Sequence, residues 1–154
     1  MRVTTPHALA MATVVAFAAC GNEPLVPDDP NEGLTGTWTF IIDVTVANGI
    51  CAGEESAPHD TSQVSVVQVG DSVTATGPWG STSGSETLAG SRNGNVVILV
   101  GAYDEDGGTT VTTHTLNVTG ADVGMNGTED WEWFGPGGPC AGGRATVQAT
   151  KNSP

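Results

Sequence analysis

The sequence predicts an all-β fold, an eight-stranded antiparallel up-and-down barrel preceded by an N-terminal signal helix, from three observations. Apolar and polar residues alternate with a period of two over most of the chain after residue 34, the mark of strands with one buried face. Turn dipeptides rich in Gly, Asp and Asn separate these runs at short intervals. No window of helical periodicity occurs beyond residue 20, while 22 glycines and many Thr and Val residues suit strands better than helices.

The first strand is read over Trp38–Val46, where Trp38, Phe40, Ile42, Val44 and Val46 alternate with Thr39, Ile41, Asp43 and Thr45. Val64–Val69 is the second, and Gly70-Asp71 turns it into Ser72–Thr76. Thr87–Arg92 leads through Asn93-Gly94, a strong hairpin signal, into Val96–Ala102. Thr109–Val118 follows a turn at Asp104–Gly108, Val123–Phe134 follows Gly120-Ala121-Asp122, and Arg144–Lys151 closes the series. Eight strands in a meander, each with one apolar face, are satisfied most simply by closure, which also removes the exposed edges. A β-sandwich is the alternative architecture.

The first twenty residues have a different character. Arg2 is the only charge before Glu23, an apolar stretch runs from Ala8 to Ala19, and Cys20 follows two alanines. A positive start, an apolar core of roughly 7–15 residues and small residues at its end describe a secretory signal peptide. The apolar stretch is shorter than the roughly 20 residues that a membrane-spanning helix needs. Phe17-Ala18-Ala19-Cys20 resembles the lipobox of bacterial lipoproteins, with Phe in place of the usual Leu. The resemblance implies cleavage before Cys20, acylation of that residue (palmitate among the acyl groups), and anchoring to a membrane outside the cytoplasm. Gly21, where an Asp would favour the inner membrane, implies the outer membrane in a diderm organism. The alternative is an ordinary signal peptide cut near Ala19, which leaves Cys20 as a free thiol. The expected organisation is a signal peptide over 1–19, a lipidated Cys20 with a tether over 20–33, and one domain over 34–151. Three prolines and a run of acidic and amide side chains in 21–33 cannot bury a core and suit an extended spacer.

Residues 20–154 carry all 17 acidic residues against three of the four basic ones, a formal charge of −14. Such a surface repels phosphate backbones and argues against nucleic-acid binding and against electrostatic attachment to anionic lipid. With Cys20 assigned to lipid, Cys51 and Cys140 remain, without CxxC spacing or neighbouring metal-ligand histidines. In an exported protein their default is a disulfide, and closing a loop of about 90 residues stabilises by roughly 4 kcal/mol in the chain-entropy model. In an up-and-down barrel the connection after the first strand and the one before the last lie at one end, so the pairing is compatible with closure.

Leu34-Thr35-Gly36-Thr37-Trp38 resembles the Gly-x-Trp opening of the calycins, the lipocalins and their avidin-like and fatty-acid-binding relatives. In that group the Trp plugs the closed barrel end and a basic residue late in the last strand packs over it. The resemblance implies that role for Gly36, Trp38 and Lys151. Gln68–Val73 and Met125–Thr128 are similar to segments of small bacterial lipocalin-like lipoproteins.

Parity on the seventh strand places Val123, Met125, Glu129, Trp131 and Trp133 on one face, and His114 shares a face with Leu116 and Val118 on the sixth. An eight-stranded barrel holds side chains alone or one small ligand. His114, Glu129, Trp131 and Trp133 together would suit a small hydrophobic or amphipathic molecule; the same residues serve equally as core filling. Asp104-Glu105-Asp106-Gly107 resembles part of a calcium loop but lacks the later ligands and reads as a solvated turn. His59-Asp60 has no serine in a nucleophile elbow to serve, Gly80–Gly84 places its serine wrongly, and His59 and His114 lack metal-pair spacing. No catalytic residue, cofactor or metal is expected. The sequence therefore leaves two readings: a membrane-anchored small-ligand-binding barrel, or a structural and interaction lipoprotein of the cell envelope without a cavity.

Overall fold

A computed structural model describes residues 33–47, 59–79, 84–105, 107–136, 138–139 and 142–152. Its strands are β1 (Gly36–Ala47), β2 (His59–Val69), β3 (Ser72–Gly77), β4 (Glu86–Asn93), β5 (Val96–Glu105), β6 (Gly108–Thr119), β7 (Gly124–Gly135), the two-residue β8 (Gly138–Pro139) and β9 (Gly143–Lys151). Every pairing is antiparallel, and each strand from β1 to β7 pairs with the next in sequence. β9 pairs with both β7 and β1, which closes eight strands into an up-and-down barrel, with β8 a short addition to the end of β7. No helix occurs among the described residues, and the signal segment, Cys20, Cys51 and Cys140 lie outside them.

The eight barrel strands are those expected from the alternation, and the differences are local. The β4–β5 hairpin turns on Gly94-Asn95, between the paired residues Asn93 and Val96, one residue later than the Asn-Gly reading. Gly94 has φ 58°, and a two-residue loop with Gly in a left-handed first position matches the twist of the strands it joins. Gly70, with φ 57°, does the same between Val69 and Ser72. β2 starts at His59, inside the stretch read as a loop, because its first residues are polar and break the apolar alternation. Val123 is not on β7: it belongs to the four-residue turn between Thr119 and Gly124 and is 53% exposed. In that turn Gly120, Ala121 and Asp122 are all left-handed, so the chain reverses before Val123 can enter the strand.

One hydrophobic core fills the barrel. Trp38, Phe40, Val64, Val66, Val73, Leu88, Val97, Leu99, Leu116, Met125 and Val147 project inward from successive strands, and Leu34 and Trp79 join them from outside the strands. Their partners in the sequence alternation face outward, including an exposed apolar row on β5 of Val96, Ile98 and Val100. A register shift between Val44 and Val46 turns Val46 outward opposite Arg144, and the hydroxyl of Thr45 donates to the Arg144 carbonyl at 3.0 Å.

Candidate ligand site at the open end

The two ends of the barrel are built differently. At one end the connections are tight turns, at Gly70-Asp71, Gly94-Asn95 and 120–123. Here Trp38 is fully buried, and its indole N–H donates to the Leu34 carbonyl at 2.8 Å. Lys151 pairs with Trp38 in register and lays its stem along Gly36, where an added Cβ would stand 2.8 Å from Lys151 Cε. Its ammonium donates to the Gly33 carbonyl at 3.0 Å. Gly36, Trp38 and Lys151 thus meet at the closed end. Around them Arg92 makes a bidentate pair with Asp122, both bonds at 2.9 Å, and further bonds to the Gly94 carbonyl and Gln68 Oε1. That guanidinium ties three turns together, raises its own pKa through the Asp122 bond and holds the Asp122 carboxyl below its ordinary value.

Towards the other end the inner face changes chemistry. Above the core, β6 turns Thr110, Thr112 and His114 inward, all essentially fully buried, and β7 turns Glu129 inward at 4% exposure. The β6–β7 register sets His114 directly opposite Glu129, with Nε2 3.6 Å from Oε1. The Thr112 hydroxyl donates to the same Glu129 oxygen at 2.6 Å. The His114 ring lies 5.4 Å from that of Trp79, which is itself edge-on to Phe40 at 5.4 Å. Neither ring nitrogen of His114 has a hydrogen-bond partner. Burial pushes its pKa down to about 4, so the imidazole is neutral at physiological pH, with one N–H and one lone pair to offer.

Trp131 and Trp133 continue the parity of Glu129 towards the mouth and are half-buried. Glycines make room for both rings. An added Cβ at Gly108 would stand 2.6 Å from the Trp133 indole, and one at Gly143 would collide with that of Trp131. The four residues expected to share a face, His114, Glu129, Trp131 and Trp133, therefore do so: two meet deep in the barrel and two stand nearer its rim.

Sequence reasoning missed several neighbours. Tyr103 is buried on β5, and Ser62 on β2 lies beside Asp60. Asp60 and Glu86, half-buried, have the inward parity of Val64 and Leu88 at the mouth ends of β2 and β4. Trp79 follows Pro78, which reads as the end of a strand; yet it keeps the parity of Val73, Ala75 and Gly77, and that parity was the available signal. The indole N–H of Trp79 donates to the Glu86 carbonyl at 3.1 Å, fastening the end of β3 to β4. On the outside of the same end, a groove of about 570 Å³ runs between Val46, Val111, Thr113 and Arg144.

Asp104 is exposed and accepts a 2.8 Å bond from the Thr109 hydroxyl, closing its own turn. Set against protein-family models, curated proteins and solved structures, the chain gives no match.

Proposed function

We propose that the chain is an extracytoplasmic lipoprotein, anchored through an acylated Cys20, whose barrel binds one small amphipathic molecule at its open end. The observation that carries the binding reading is the change of inner-face chemistry halfway up the barrel. A barrel that served only as a scaffold would be filled by apolar side chains throughout. This one places an imidazole with two unsatisfied nitrogens beside a carboxyl group and two threonines. Each buried unpaired polar group costs about 1–3 kcal/mol, so an arrangement of this kind is explained by a ligand that completes it. The packed core below His114 limits such a ligand to the mouth, where Trp131 and Trp133 offer aromatic area and Glu129 fixes orientation.

Titration of tryptophan fluorescence with small amphipathic compounds tests the reading. Saturable quenching that weakens tenfold or more in His114→Leu is expected; no saturable change with cationic, neutral or anionic compounds overturns it. For the anchor, metabolic labelling with a fatty-acid analogue should mark the wild type and not Cys20→Ala, and an unlabelled wild type removes that part of the proposal.

A second reading, an envelope interaction protein without a ligand, is favoured by the exposed apolar row Val96, Ile98 and Val100 and by the outer groove. In-cell cross-linking from the outer face that captures one defined protein, with no ligand effect on fluorescence, would decide for it.

A further inference from the structure

We infer that the outer wall formed by β4, β5 and β6 is a docking surface for a second copy of this chain, the two copies meeting face to face across a two-fold axis near Ile98. The inference is independent of the ligand-binding reading, and either can fail without the other.

The first support is the placement of charge on the outside of the barrel. Among the described residues, the outward positions of β3 to β6 carry one charged side chain, Asp104, at the mouth end of β5. The charges of the outer face gather on the other side, with Asp130 and Glu132 on β7, Arg144 on β9 and Asp43 on β1. A chain with a formal charge of −14 over residues 20–154 thus keeps one side of its barrel uncharged. Charged residues are depleted at the centres of interfaces, whereas a merely solvated wall carries them freely.

The second support is what stands there instead. Val96, Ile98 and Val100 form an outward row on β5, with 37%, 45% and 47% of their surface exposed. The register widens that row into a surface. Ile98 lies between Ser91 and Thr115, and Val100 lies between Ala89 and Thr113. These neighbours are short, without a long polar group to bar close approach. A contiguous apolar patch on an otherwise polar surface marks an interaction site.

The charge pattern also selects the occupant. A basic partner would be drawn to the acidic groups of β7 and would gain nothing from an uncharged wall. The partner's face has to be uncharged as well, and the same wall in a second copy meets that requirement. Two acidic copies repel each other least when their charges are turned away from the contact. The eight barrel strands close on themselves, so the copies join by packing faces and not by adding strands. Three strands about 4.8 Å apart, over residues 96–102 at about 3.3 Å each, give roughly 300 Å² of contact per copy, against about 800 Å² in a standard interface. The dimer is therefore weak in dilute solution and forms where copies are crowded, as the anchor proposed at Cys20 would crowd them.

Two experiments on the full chain test this. A photoreactive benzoylphenylalanine in place of Ile98, in intact cells making tagged and untagged copies, should give a covalent product of two chains of this protein. The same group in place of Gln148, exposed on β9, should give none. Sedimentation in nonionic detergent should show the dimer fraction rising about twofold or more as salt goes from about 0.01 to 1 M, because screening removes the repulsion and leaves the uncharged contact. Ile98→Lys lowers the net negative charge, which favours association everywhere except across this wall, and should leave a monomer at every salt concentration. Gln148→Lys, the same charge change on β9, should keep the dimer. Both positions are exposed, so neither substitution disturbs the core. A monomer throughout, a dimer that weakens with salt, or a dimer that survives Ile98→Lys overturns the inference. Cross-linking from position 98 that yields another protein, lipid alone or no product does the same.

Discussion

The closed and open ends of this barrel are made of the same eight strands, yet they solve opposite problems. At the closed end the buried and charged donors find acceptors. The Trp38 indole, the Lys151 ammonium and the Arg92 guanidinium each have named partners within 3.0 Å. At the open end His114 is left without a hydrogen-bond partner, in a position as fully buried as Trp38. The first arrangement maximises stability. The second gives up stability in a place where apolar side chains would have been the simpler filling. The difference teaches where to look for function: stability–function conflict concentrates at sites that bind or react.

Substitutions can break that comparison or sharpen it. Trp38→Ala should cost about 3–5 kcal/mol in urea unfolding, because a fully buried indole and its bond to Leu34 are lost and the plug cannot collapse around the gap. A cost below about 1 kcal/mol would show that the closed end is not the anchor of the fold. The pH dependence comes next. His114 binds its proton more weakly folded, at about 4, than unfolded, at its ordinary 6.5. The unfolded state therefore takes up more protons between those values. The stability that follows from keeping the ring neutral is fully present above about pH 6.5 and is lost as pH falls towards 4, by about 3 kcal/mol. His114→Leu should flatten this slope and raise stability at pH 5, while removing ligand affinity. A slope unchanged in His114→Leu assigns it to other groups.

Arg92→Ala should cost about 1–2 kcal/mol, since one bidentate pair and two further hydrogen bonds that join three turns disappear together. Ligand binding at the far end should be untouched, and a loss of it would mean that the two ends are coupled. The Asp122 share of that stability has the opposite pH sense to a raised base. Its folded pKa lies below the ordinary carboxyl value, so the contribution is present above that value and fades as pH drops through the lowered one. The smallest effect is expected at Ala121. Its left-handed φ of 54° carries a steric cost that Gly avoids, so Ala121→Gly should stabilise by roughly 0.5 kcal/mol after the greater unfolded-state freedom of Gly is counted.

The architecture was readable in the sequence because alternation and turn chemistry agreed at nearly every step. Trp38, Phe40 and Ile42 declare an inner face without ambiguity, and Gly70 and Gly94 mark reversals that only glycine makes cheaply. Val123 misled for the same reason: it continues the alternation of Met125 in sequence, but three consecutive left-handed residues leave it in the turn, where it is exposed. The site was harder. His114 and Glu129 could be found because apolar neighbours on their own strands fixed the parity. Asp60 and Glu86 could not, because a polar residue facing inward at a strand's end breaks the very pattern used to locate the strand. Trp79 was hidden behind Pro78. The residues that make a mouth polar are those that alternation reads as loop.

Lys151 holds Gly33 by its carbonyl at the closed end, and Asn152 leaves the barrel at the same place, donating its amide to the Thr37 carbonyl at 2.8 Å. Gly33 and Leu34 therefore lie at the closed end of the barrel, on the side away from Trp131 and Trp133. The anchor proposed at Cys20 would thus be joined to the domain through its closed end, which leaves the mouth at the far end of the barrel.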